Sequence, residues 1–289
     1  MHLSDFHNHL QNIGPEELSA VLVRAHAVGV TRFICNGTNP GDWEQVLALA
    51  REKDAVLPCL GIHPWFVSQN PHPEEEQTLR HLERCLDTAV TAGGFRVALG
   101  EVGLDGAMRP RNDERQELFL EKQLAMAAER GLPVMLHAVR SQERLLPLLR
   151  RYRPPVFLIH QFSGSAPLIS ELASLGAFFS LGGAIARLAA AVDNADNSAP
   201  PRRLLETVMH LPMDRLLLES DAPARLPQVL NIKGLLPCPE GGRRSEPALV
   251  AQLPSLLAKI RGISETSIKK QVMANEARFF EAWPRLGKP

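Results

Sequence analysis

The chain has 289 residues, 32 Lys and Arg against 32 Asp and Glu, and so a formal net charge of zero. No bulk field therefore draws it to nucleic acid or to an anionic membrane, and any site for a polyanion must be a local patch. It is 45% hydrophobic, with no apolar run near the ~18 residues of a membrane span and no basic segment leading into an apolar one, so a soluble, cytoplasmic protein with a sizeable core is expected.

The chain opens on Leu3-Ser4-Asp5-Phe6-His7-Asn8-His9-Leu10, where Asp5, His7 and His9 alternate and so share one face of a strand. Polar groups on the inward face of a strand need a task, and two imidazoles on one side of a strand end can grip one metal ion. Residues 15–29 carry Leu18, Val21, Leu22, Ala25 and Val28 at helical spacing between Pro15 and Gly29. The strand Thr31–Asn36 follows, then a helix over 41–53 with Trp43, Val46, Leu47 and Ala50 on one face. Residues 56–62 read as a third strand ending at His63, 76–92 as a helix, and Val97–Val102 as a fourth strand containing Glu101. A long helix spans about 112–130, with Gly131 behind it.

Residues 133–137 form a fifth strand ending at His137, 141–152 a helix despite Pro147, and 156–160 a sixth strand ending at His160. A helix over 165–175, a strand over 177–181, a helix near 201–210 and a strand over 215–221 ending at Asp221 come next. Helices over 246–261 and 265–282 finish the chain. Continuous apolar strands mean burial on both faces, as in parallel sheets. Eight such units in one domain covering 1–289 match a (β/α)8 TIM barrel; a doubly wound open sheet would not need polar residues at so many strand ends.

In a barrel the C-terminal strand ends converge on one mouth. There the pattern places His7, His9, His63, Glu101, His137, His160 and Asp221. This ligand count fits two divalent cations better than one. The first is expected on His7, His9, Glu101 and Asp221, the second on Glu101, His137 and His160, with Glu101 bridging through its two oxygens. Two ions about 3.5–4 Å apart can polarise a phosphoryl oxygen and acidify water, and Asp221 is then placed to accept the proton. Imidazoles admit Zn²⁺ or Mn²⁺ and carboxylates admit Mg²⁺.

Several segments together resemble the TatD family of metal-dependent deoxyribonucleases within the amidohydrolase-like barrels. They are Asp5-Phe6-His7-Asn8-His9-Leu10, Gly61-Ile62-His63-Pro64, Gly100-Glu101-Val102-Gly103-Leu104-Asp105, Leu132–His137, His160-Gln161-Phe162-Ser163-Gly164 and Leu217-Leu218-Glu219-Ser220-Asp221-Ala222-Pro223, with weaker matches at 245–247 and 275–280. The resemblance implies a (β/α)8 barrel, a divalent-metal centre on the residues named above, and hydrolysis of DNA phosphodiesters, often from the 3′ end. Three positions depart from the family's pattern. Gln161 stands where a Cys is usual, Arg140 comes third after His137 instead of second, and Gly106 replaces an aromatic.

Around this centre, His63 is a candidate proton donor to the scissile phosphate, and Trp65 with Phe66 a platform for a base. Arg140, Ser163 and Arg225 are candidate phosphate contacts, and Arg109, Arg111, Lys233, Arg243 and Arg244 could extend a basic rim. Asp5, Asp105 and Glu219 are expected to orient the ligands. The expected partner is a DNA substrate, with no membrane and no obligate protein partner. The rival readings are a metal-dependent ester or amide hydrolase, for instance of aminoacyl-tRNA, and a barrel kept for binding with structural metals. Cys35, Cys59, Cys85 and Cys238 stand in no metal-ligand spacing and read as free thiols of a reducing compartment.

Overall fold

The structure, a computed structural model, describes residues 2–70, 75–92, 96–109, 112–192, 201–224 and 244–283. In chain order its elements are β1 (Leu3–Asn8), α1 (Pro15–Ala27), β2 (Val30–Asn36), α2 (Trp43–Glu52), β3 (Val56–Leu60), α3 (Pro64–Gln69), α4 (Glu75–Ala92), β4 (Ala98–Asp105), α5 (Asp113–Arg130) and β5 (Val134–Val139). There follow α6 (Gln142–Tyr152), β6 (Phe157–Ile159), α7 (Ala166–Ser174), β7 (Ala177–Leu181), α8 (Ala186–Val192), α9 (Arg202–His210), β8 (Leu216–Leu218), α10 (Leu253–Arg261) and α11 (Glu265–Glu281). The strands make one eight-stranded sheet in the order β1 to β8, and alternation with helices makes the fold a (β/α)8 barrel.

The chain divides into two compact units: Met1–Ile34, Gln161–Ala173 and Phe179–Arg278 in the first, Cys35–His160, Ser174–Phe178 and Phe279–Pro289 in the second. In the first unit β1 meets the chain beyond β8 directly. The Asp221 N–H donates to the His7 carbonyl at 2.9 Å and the His9 N–H to the Ala222 carbonyl at 2.7 Å. Asn275 on α11 holds the entry to β8, its Nδ2 donating to the carbonyls of Met213 (2.8 Å) and Leu216 (2.7 Å). Arg24 of α1 grips buried Glu246 through two guanidinium nitrogens at 2.8 and 3.0 Å.

In the second unit β3–β4, β4–β5 and β5–β6 pair in parallel. The register of β4 on β5 slips between Leu99 and Val102, so Gly100 and Glu101 sit in a bulge, a device that re-aims a side chain. Trp43 Nε1 donates to the Gly61 carbonyl at 3.0 Å and Trp283 Nε1 to that of Val97 at 3.1 Å, satisfying the polar edge of two fully buried rings.

Several boundaries differ from the periodicity. Residues 64–69 form a short helix where the sequence pattern predicts a loop. Pro64 is preset for its first position, and His63 Nδ1 caps it by accepting the Trp65 N–H at 3.1 Å. Strand β8 stops at Leu218, short of the expected 221, because Ser220 turns to bond Asp5 and Asp221 takes a left-handed φ of 53°. Strand β4 runs on to Asp105, and the expected helix over 246–261 begins as a 3-10 turn over Pro247–Gln252. Helix α8 lay outside the expected elements. Pro147 stands inside α6 on its exposed face, where the carbonyl it frees is open to solvent.

Buried Glu276 accepts the N–H (3.0 Å) and hydroxyl (2.8 Å) of Ser4, and burial pushes its carboxyl from 4.5 up to about 7. Between those values the native state holds a proton that the unfolded chain has lost, so stability falls as pH rises across that window and levels off above it. In urea titrations Glu276→Gln should gain on the wild type by about 3 kcal/mol between pH 4.5 and 8; parallel pH profiles would show that Glu276 stays ionised in the fold.

Candidate metal-binding sites

In the first unit His7 is fully buried near the end of β1, and His9 follows two residues later. Their Nε2 atoms lie 3.2 Å apart, with Asp221 Oδ1 at 3.9 Å from the first and 3.7 Å from the second. The three ligand atoms form one of the groups able to hold an ion. Bonds of about 2.1 Å put neighbouring donors about 3.4 Å apart around a four-coordinate ion and about 3.0 Å around a six-coordinate one. The two imidazole nitrogens fall within that range, and Asp221 Oδ1 stands a few tenths of an ångström beyond it.

Asp5 stands behind it. Its carboxylate accepts the Ser220 N–H at 2.8 Å, the Ser220 hydroxyl at 2.6 Å and the His7 N–H at 3.4 Å. Complete burial pushes its carboxyl up to about 8, against the pull of those donors. Asp5 thus ties the strand that bears His7 to the residue preceding Asp221. Glu219, also fully buried, accepts the Ser180 hydroxyl. Ser163 is half-buried in the turn after β6.

The second unit brings Glu101, His137 and His160 together. Glu101 Oε1 is 3.0 Å from His137 Nδ1 and 2.9 Å from His160 Nε2, and those two nitrogens are 3.1 Å apart. Donors converging at these separations match a six-coordinate sphere. His137 turns its other nitrogen to Asp105 Oδ2 at 3.2 Å, a contact that holds the ring with Nδ1 facing Glu101 and His160. Burial opposes a charge on His137, but hydrogen bonds to Asp105 and Glu101 outweigh it and raise its pKa. At Asp105 burial works against ionisation, yet hydrogen bonds from His137, Trp65 and the Ala107 N–H hold the carboxyl well below its usual range.

His63 joins this set, with Nε2 at 3.3 Å from Glu101 Oε1. Because its Nδ1 accepts the Trp65 amide, the neutral ring carries its proton on Nε2 and faces Glu101 as a donor, not as a ligand. Trp65 is half exposed, stands edge-on to His63 and gives its indole N–H to Asp105 Oδ2 at 2.7 Å.

Two members of the expected basic rim have partners of their own. Arg244 is paired with Glu17 at 2.9 Å, and Arg109 is turned onto the Met108 carbonyl at 2.7 Å. Arg140 is exposed with a left-handed φ of 50°. Arg111, Arg225, Lys233 and Arg243 lie outside the described residues. The departure at Gly106 has a steric reason: a Cβ there would come within 2.6 Å of the Arg140 carbonyl oxygen. Gly103, at φ +150°, is equally committed, since its Cβ would overlap the His137 carbonyl.

Residues that motif reading passed over hold these groups in place. After β2 the Gly37 carbonyl accepts the Glu101 N–H and the Thr38 carbonyl the His63 N–H, both at 2.8 Å. Asp42 fixes that loop through the Thr38 N–H, Thr38 hydroxyl and Asn39 N–H. Two buried glutamines one heptad apart on α5 clamp peptide groups: Gln123 pairs with the N–H and carbonyl of Ile62, Gln116 with those of Asp105. Their signal in the sequence was two amides on an otherwise apolar helix face.

A (β/α)8 barrel whose strand ends carry imidazole–carboxylate sets at metal-ligand spacing is the layout of a hydrolase. The chain belongs to the TatD related DNase family, whose pattern it matches over residues 4–281. It is 31% identical over 263 residues to the 3′-5′ ssDNA/RNA exonuclease TatD of Erwinia tasmaniensis, covering 90% of this chain and 92% of that protein. It is 32% identical over 265 residues to the exonuclease of the same description from Edwardsiella piscicida, covering 91% and 92%. Among solved structures it resembles the TatD homologue YJJV of Escherichia coli with a TM-score of 0.79 and 27% identity, over 96% of this chain and 98% of that one. Among the described residues no helix is long and apolar enough to cross a membrane.

Asp105→Ala should release the His137 ring and lower divalent-ion affinity at the Glu101–His137–His160 set by about 10–100-fold, leaving binding at His7, His9 and Asp221 in place. Calorimetric titration with Zn²⁺ checks this; superimposable isotherms would show that His137 needs no such anchor.

Proposed function

We propose that the protein is a divalent-metal-dependent nuclease that removes nucleotides from the 3′ end of single-stranded DNA. The observation that carries the reading is the pairing of family membership over residues 4–281 with two donor sets whose internal spacing suits a divalent ion. The exonucleases from Erwinia and Edwardsiella are described as acting on single-stranded DNA or RNA from 3′ to 5′, which supports substrate and polarity.

In this reading His7, His9 and Asp221 would hold one ion and Glu101, His137 and His160 a second. Divalent ions bound there would supply Lewis acidity toward the phosphoryl oxygens and toward water, with Mg²⁺, Mn²⁺ and Zn²⁺ all compatible with mixed imidazole and carboxylate donors.

The remaining roles fall to the protein's own groups. Asp221 accepts the proton of the attacking water. His63, carrying its proton on Nε2, gives a hydrogen bond to the phosphate, and Trp65 offers the exposed half of its indole to a terminal base. Asp105 serves both neighbours, receiving the Trp65 indole N–H and the His137 ring N–H. Arg140, Ser163 and Arg225 are the proposed phosphate contacts, and Asp5 and Glu219 orient the backbone that carries the ligands.

The test uses chelator-stripped protein with added Mg²⁺, Mn²⁺ or Zn²⁺ and 5′-labelled single-stranded DNA or RNA, beside Asp221→Asn. Metal-dependent laddering from the 3′ end, cut at least 100-fold in the variant, is expected. Protein shown to bind metal that cleaves neither polymer would sink the nuclease reading and direct attention to carboxylic and aminoacyl esters.

A further inference from the structure

Gln161 lies two residues beyond β6, directly after His160, and its side chain does something specific. Its Nε2 donates to Asp221 Oδ2 at 2.5 Å, while the other oxygen, Oδ1, is the one facing the His7 and His9 nitrogens at 3.9 and 3.7 Å. The two oxygens of Asp221 are therefore sorted, one toward the imidazoles and one toward an amide donor.

The backbone gives a second, independent observation. Gln161 sits at φ 40° and Asp221 at φ 53°, both in the left-handed region that non-glycine residues avoid. Such placements cost about 1 kcal/mol or more and persist where the surroundings or the site require them. Gln161 is exposed, so packing does not explain a glutamine here, and glycine would relieve the strain. What glycine could not supply is an amide that reaches the Asp221 carboxylate.

We propose that Gln161 is a positioning residue that fixes the rotation of the Asp221 carboxylate. It holds Oδ2 off the ion so that Asp221 ligates through Oδ1 alone and keeps Oδ2 as the proton acceptor. This rests on the hydrolase reading of Asp221. An isolated carboxylate beside a divalent ion is free to close on it through both oxygens, and Ca²⁺ sites use both modes. Hydrogen-bonded ligating carboxylates are held to one, and losing such a partner typically costs 10–100-fold. Bidentate closure would take up both oxygens and leave no basic atom for the incoming water.

The experiment compares wild type with Gln161→Glu, which keeps the shape but replaces the donor with an acceptor, and Gln161→Gly, which suits the left-handed backbone but has no amide. Each is loaded with Co²⁺, and its visible absorption, thermal unfolding and cleavage kinetics on labelled single-stranded DNA are measured. Both variants should lose cobalt d–d intensity as Asp221 adds a second bond to the ion. Both should lower kcat about 10–100-fold with KM within about twofold, as expected when the proton acceptor of the chemical step is lost and substrate binding is not. Gln161→Gly should unfold no lower than wild type, which separates the effect from loss of fold. Wild-type spectra and kcat in both variants would overturn the proposal and leave the nuclease reading standing. Spectral change in both variants, in a protein that cleaves no nucleic acid with any metal, would support the positioning role while removing the nuclease reading.

Discussion

Two imidazole nitrogens held 3.2 Å apart repel one another unless a proton or a cation lies between them, and that constraint shapes the first unit. His7 cannot turn away, because β1 is pinned along its length. Ser4 is bound to Glu276 on α11, Asp5 to Ser220, and the His7 carbonyl to the Asp221 N–H. The same contacts deliver Asp221 to the imidazoles. The joint between the first strand and the chain leaving the last is thus also the joint that assembles the triad, and a fault in one is a fault in the other.

The second unit solves the same problem with backbone. Glu101 and His63 are positioned by carbonyls of the loop after β2, and that loop is held in turn by the Asp42 carboxylate. His137 is set by Asp105, whose own N–H and carbonyl are clamped by Gln116. Glu101, His63 and His137 are therefore each backed by a hydrogen-bonded neighbour, which fixes how buried ionisable groups are presented. The cost is rigidity: Gly103 and Gly106 have no room for a side chain, because the β5 backbone lies against them.

Much of this was legible in the chain itself. Eight apolar runs alternating with amphipathic segments defined a (β/α)8 barrel, and the ligand-type residues at the ends of those runs proposed a metal centre. The short helix after His63 was hidden because a Pro-Trp-Phe stretch has no helical stripe, and its start depends on an imidazole cap visible only in three dimensions. The early end of β8 was hidden because Glu219-Ser220-Asp221 continues an apolar run that only the pull of Asp5 on Ser220 interrupts. The partner of Arg244, read from loop charge as part of a basic rim, was hidden because Glu17 meets it only in space.

The sequence by itself determined which groups can bind metal and at which strand ends they stand, because ligand chemistry and hydrophobic period are local properties of residue type and order. Tertiary structure alone decided which partners face the nitrogens of His63 and His137 and which oxygen of Asp221 faces the imidazoles. It likewise decided that Gln161 bonds the Asp221 carboxylate and that Gln116, Gln123 and Asp42 brace the backbone around Asp105, Ile62 and Thr38. Those are questions of hydrogen-bond partnership between residues far apart in the chain, and no spacing within a sequence encodes who will meet whom.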